Sequence, residues 1–248
     1  MSDFNRGYAG TVQTGHADMS VDVGLRSFML GVYNKVALGL LLSAGLAYLT
    51  GSFAPVRDLM FTVANGRVGY SILGMVVAFA PLAVLLFSGF ALKNVTPKSA
   101  GITYWTVVTL IGASLGIVVL RYTGASIGET FLLTATCFGA LSLVGYTTKR
   151  DLTAMGSFLI MGLFGLLGAM LINIFLQSSM MALIVNVIGV LIFAGLIAYD
   201  TQKLKMTYYQ LEGNDAGKSV ATSYGALSLY LDFINLFQFM LALFGNRR

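Results

Sequence analysis

Long apolar runs alternate with short polar segments along the whole chain. Seven of these runs approach the ~20 residues a helix needs to cross a bilayer, at roughly 36–54, 70–92, 101–120, 127–146, 152–176, 180–205 and 222–244. The pattern predicts an all-α polytopic membrane protein with seven transmembrane helices. The separators hold the breakers and charges: Pro55, Arg57, Asp58 and Arg67; then Lys93 and Pro97; then Arg121; then Lys149, Arg150 and Asp151; and finally LEGNDAGKS at 211–219. Pro81 falls inside the second run and predicts a kink, because it withholds one intrahelical hydrogen bond. The opening segment is polar and lacks the basic start, apolar stretch and small-residue cleavage site of a removable signal. The chain therefore divides into an N-terminal tail at 1–30 and a membrane domain at 31–248.

Composition narrows the class. Charged residues make up 10% of the 248 and apolar ones 57%, against roughly 25% charged in a soluble domain. A water-soluble enzyme, a disordered chain and a disulfide scaffold are thereby excluded. Cys137 is the one cysteine and His16 the one histidine, so no zinc cluster and no resident cofactor is expected. The net charge of +5 reads as membrane topology, with the lipid bilayer as partner and no nucleic acid implied. If every run crosses, the tail side carries ten of the 15 Lys and Arg, and the other side carries Arg57, Arg67, Arg121, Arg247 and Arg248. The N-terminus is then cytoplasmic. A re-entrant last run would shift the split to twelve against three, so charge alone mildly favours an incomplete final crossing. Gly112 and Gly116, and the series Gly162, Gly165 and Gly168, read as close helix packing.

The ten acids carry the chemistry. Seven lie in tails, loops or at helix starts, where water or capping accounts for them. Asp151 reads as an N-cap, and Glu129 as a first-turn acid favoured by the helix dipole. Asp200 and Asp232 sit inside apolar sequence, GVLIFAGLIAYDTQKLK and ALSLYLDFINLFQFMLALFG. A lone acid at a helix centre costs about 2.5 to 3.5 kcal/mol and usually faces the bundle interior. An ion pair of Asp200 with Lys203, and a structural hydrogen bond at Asp232, are the plainer readings. Yet the two are mirrored about Ala216 in the intervening loop. A helical hairpin therefore sets both about 14 Å from the loop side. Ser228, Asp232 and Asn235 share one stripe, and Asn186 lies on the face of Asp200. Two carboxylates about 4 Å apart repel by about 4 kcal/mol at an effective dielectric of 20, so the pair is expected to share one proton near neutral pH. Losing that proton leaves an anionic pair that calls for a cation. Oxygen ligands suit calcium or another hard ion, bound transiently at Asp200 and Asp232.

At these residues the chain resembles the Bax inhibitor-1 family, bacterial branch. The resemblance rests on AYDTQKL at 198–204 and ALSLYLDFINLF at 226–237, with KRDL at 149–152 and the seven-run layout. It implies a bundle whose last helix is central and wrapped by the other six, and an aspartate pair, here Asp200 and Asp232, acting as a pH-sensitive latch on a calcium leak. It also implies a basic latch partner near the end of the second helix, for which the nearest residue is Lys93. Lysine cannot form the bidentate fork of arginine.

Three functions compete. The first is a pH-gated calcium or cation leak channel, not an enzyme, in a bacterial inner membrane. The second is a non-conducting regulator of a membrane-anchored AAA protease, implied by one branch of the family and contacting it through the tail. The third is an intramembrane aspartyl protease, disfavoured because LYLD at 229–232 lacks the preceding glycine pair and no Pro-Ala-Leu segment occurs.

Overall fold

The computed structural model describes residues 22–248 apart from 65–66 and 92–94. Helices α1 (Val23–Ser52) and α2 (Ala54–Met60) lead into a hairpin of β1 (Phe61–Ala64) and β2 (Arg67–Tyr70). Then follow α3 (Ile72–Ala91), α4 (Pro97–Ser114), α5 (Gly116–Arg121), α6 (Gly124–Thr147), α7 (Thr153–Leu176), α8 (Ser179–Gln210) and α9 (Asp215–Phe244). Among the described residues six helical segments are long and apolar enough to cross a membrane, with α4 and α5 counted together, and Ile72–Ser88 of α3 is a shorter apolar segment. The protein is an all-α polytopic membrane protein.

Several of the long helices start where side chains satisfy the first amides, which hydrocarbon cannot do. Asp22 accepts from Leu25 N at 2.9 Å, Thr96 and Ser99 form a capping box ahead of α4, and Asn214 accepts from Gly217 N at 2.8 Å. Three boundaries move accordingly. Helix α1 begins at Val23, so residues 23–30 belong to the bundle and not to the tail. Its first turns bury Leu25, Phe28, Met29 and Val32 and expose Arg26 and Asn34. Such an amphipathic start is invisible to a search for uninterrupted apolar length. Helix α9 begins at Asp215 and not at 222. The third run is broken at Leu115 into α4 and α5, and Glu129, six residues into α6, lies beyond its first turn. Helix α3 continues through Pro81.

Helix α9 is the core. It is 61% buried over its apolar window, against 6% for α7. It packs on α1, α4, α6 and α8, while α3 leans on α4 and α7 on α8. The last helix is thus central but flanked chiefly by four helices, with α3 and α7 in an outer row instead of completing a ring of six. Lipid makes this tolerable, since the exposed Phe158, Phe164 and Phe175 of α7 face a solvent as apolar as themselves.

The far end of α9 is pinned to the α5–α6 junction, where Thr123 N donates to Asn246 O at 3.1 Å and Arg248 N to Arg121 O at 2.9 Å. Its other end joins α8 through Leu211–Asn214, where Gly213 takes a φ of +77°. At 1.5 Å per residue its 30 residues run about 45 Å, so α9 passes from one end of the bundle to the other and does not turn back.

Gly112 and Gly116 admit α1. A Cβ on Gly112 would lie 2.6 Å from Ser43 Cα, and one on Gly116 2.9 Å from Gly51 N. The close approach lets Thr50 Oγ1 donate to Ala113 O at 2.9 Å and Ser43 Oγ to Val108 O at 3.2 Å.

Candidate functional site

The α8–α9 hairpin sets the register of the two intramembrane acids. Gly225 packs on Leu204 and Gly189 on Phe239, and Ser228 Oγ donates to Asp200 Oδ2. These pairs mirror about Asn214 and not Ala216, the midpoint of the two acids. Ser228 is therefore the residue opposite Asp200. Asp232 lies one turn deeper, about 6 Å along the axis, instead of at equal depth. Side chains tilt toward the N-terminus of their own helix, which in antiparallel helices leans Asp200 and Asp232 toward each other. Asp200 is thus the acid that Asp232 senses across the hairpin.

Asp232 is 6% exposed, and its Oδ2 has no hydrogen-bond partner among the described residues. Asp200 is partly buried. Among the described residues the charged neighbour of Asp232 is Asp200, and the ion pair found is Arg57–Asp58 at the surface. Lys203 does not pair with Asp200; it is exposed, with Nζ 5.9 Å from the centre of the Tyr199 ring. Asn235 turns its amide to Leu231 O at 2.8 Å on its own helix. Asn186 lies about 21 Å from Asp200 along α8. The polar stripe is thus local, made of Ser228, Asp200 and Asp232. Lys93, and the tail invoked for a protease contact up to residue 21, lie outside the described residues.

Successive residues of the AYDTQKL segment point, about 100° apart, to three different helices. Asp200 meets α9. Thr201 Oγ1 donates to Ile197 O at 2.7 Å and approaches Ser142 Oγ of α6 at 3.5 Å. Gln202 Nε2 donates to Arg150 O at 2.7 Å, and its Oε1 accepts from Leu152 N at 2.8 Å at the entry to α7. Next to the pair, Phe233 packs against Phe131 and Phe138 of α6, both at 5.4 Å between ring centres. Apolar length and acid placement do not reveal Ser142, Gln202 or this aromatic cluster, because each matters through a partner on another helix. Asp151 accepts from Thr153 N at 2.9 Å, and hydrogen bonding from the Thr153 side chain and backbone holds its carboxyl below the usual range. It caps the loop, two residues ahead of the first helical residue.

Gln202→Leu is expected to cost about 1–3 kcal/mol by stranding the Arg150 carbonyl and Leu152 amide. Thermal unfolding in detergent measures the loss. Faster hydrogen exchange at the start of α7 locates it.

Residues 25–248 match the family model described as Inhibitor of apoptosis-promoting Bax1. An uncharacterized protein of Caulobacter vibrioides is 62% identical over 249 residues, covering 100% of both chains. Uncharacterized protein RP147 of Rickettsia prowazekii is 45% identical, covering 97% of this chain and 98% of its own. Inner membrane protein YbhL of Escherichia coli is 42% identical, covering 91% and 94%. With a family model spanning the whole helical bundle and relatives matched nearly end to end, this chain belongs to the Bax inhibitor-1 family of integral membrane proteins.

Proposed function

We propose that the chain forms a cation leak path, with calcium as the permeant ion, whose opening is set by protonation of the Asp200–Asp232 pair, in an inner membrane with the N-terminus in the cytoplasm. The observation that carries this reading is the Asp232 carboxylate, buried beside a second acid with one oxygen unpartnered among the described residues. With one shared proton the pair closes on itself through an O–H···O bond. Without it, two like charges in a poorly solvated bundle repel and draw in a cation.

The ligand set suits passage more than storage. Two carboxylates offer at most about four of the six to eight oxygens that calcium takes, so water completes the shell and the ion leaves readily.

The test is calcium entry into liposomes holding the purified protein, followed over a range of pH with Asp232→Asn beside wild type. The wild-type flux is expected to change with pH and the variant flux to be flat. A pH response unchanged in Asp232→Asn would falsify the gating role.

A further inference from the structure

Toward the Arg121 end of the bundle, α1, α5, α6 and α9 line an open shaft of about 650 Å³ that reaches inward to Phe233, the neighbour of Asp232. Its walls are Leu40, Ala44 and Ala47 of α1, Ile127 and Phe131 of α6, and Phe233 and Phe237 of α9. Deeper in the bundle α1 and α6 meet edge to face through Tyr33 and Phe138, 6.5 Å between ring centres. Tyr48 and Ser52, both exposed, stand on its rim on α1.

The mouth is basic. Arg57 and Arg248 line the cavity, and Arg248 is tied to Arg121 through its backbone. Arg57 spends Nε on Asp58, and among the described residues neither terminal NH₂ group of its fork has a partner. The Arg248 guanidinium makes no hydrogen bond among the described residues.

Water in so apolar a shaft finds few partners, whereas a hydrocarbon chain fills it at no cost in polar contacts. Arginine forks match phosphate oxygens two at a time. A neutral headgroup brings its own compensating cation to the same place. We propose that the shaft holds one acyl chain of an anionic phospholipid, with its phosphate on Arg57 and Arg248. Lipid retention at this site is read without ion flux, so it stands or falls apart from any ion path through Asp200 and Asp232.

The test is lipid retention by the full-length protein, counted by native mass spectrometry after exchange into detergent containing phosphatidylglycerol or phosphatidylcholine. One phosphatidylglycerol per chain is expected to remain, about ten-fold in preference to phosphatidylcholine. Arg57→Gln with Arg248→Gln is expected to bring the two lipids level. Ala44 is exposed on the shaft wall, so Ala44→Trp fills the space and is expected to end retention of both. Ile127→Trp repeats the block from the opposite wall, and monodisperse elution certifies each variant as folded. Equal retention of the two lipids by wild type, or undiminished retention in both folded tryptophan variants, overturns the proposal.

Discussion

Gly145→Leu is expected to leave no monodisperse protein. A Cβ at Gly145 would stand 2.1 Å from the carbonyl oxygen of Ala198 and 2.9 Å from its Cα. The obstacle is the backbone of α8, which has no rotamer with which to step aside. Overpacking usually costs about 1–3 kcal/mol and more where nothing yields; a leucine here forces α6 and α8 apart along their shared face. That separation undoes the approach of Thr201 to Ser142 and the packing of Phe138 on Phe233, so the position of Asp200 is lost with the fold. Gly145→Ala meets the same carbonyl with its single methyl and is expected to fold with a lowered melting temperature. Gly139, on the same helix, has open space around the position of its absent Cβ. Gly139→Ala should be neutral or gain up to about 1 kcal/mol of helix propensity. Size-exclusion chromatography and thermal unfolding of the three variants test this directly. A well-folded Gly145→Leu protein sinks the claim of a backbone contact.

The two glycines are indistinguishable in the sequence, and the reason marks where sequence reading stops. Apolar length finds the segments that face lipid, because a bilayer demands an unbroken run, so α6, α7 and α8 are placed within a few residues. It fails where a helix emerges from lipid and becomes amphipathic, as at Val23 and Asp215. There the boundary is decided by one cap, Asp22 or Asn214. The mirror point taken from the two acids themselves falls at Ala216, two residues past the Asn214 about which the contacts pair. Asp200 then seems level with Asp232, when Ser228 is its opposite number. The acids themselves stand out at once, since nothing local solvates them. Their neighbours do not, because Ser142, Gln202 and Phe138 are ordinary residues until another helix is brought against them. The hairpin of β1 and β2 is likewise hidden in a separator whose polarity says only that it leaves the membrane.

Asp232→Leu is expected to raise stability by about 1–4 kcal/mol, the range seen when buried charged groups give way to apolar ones of similar size. Among the described residues the carboxylate, 6% exposed, has one oxygen unpartnered, and its charged neighbour is another acid. Insertion scales put such a residue at about 2.5–3.5 kcal/mol unfavourable. Leucine restores apolar contact with α8, and no donor is stranded, because Ser228 still bonds Asp200. Asp200→Leu should gain less, since Asp200 is only partly buried and its loss frees the Ser228 hydroxyl. Thermal unfolding of wild type and both variants in one detergent, at one pH, gives the comparison. A loss of more than about 1 kcal/mol in Asp232→Leu would mean that the carboxylate serves as a structural hydrogen-bond partner after all, and the pair would then need no functional reading. A gain, together with a calcium flux that no longer responds to pH, separates the two roles a buried acid can play. A group whose removal both stabilises the fold and ends its response is held there for its chemistry, at the expense of packing.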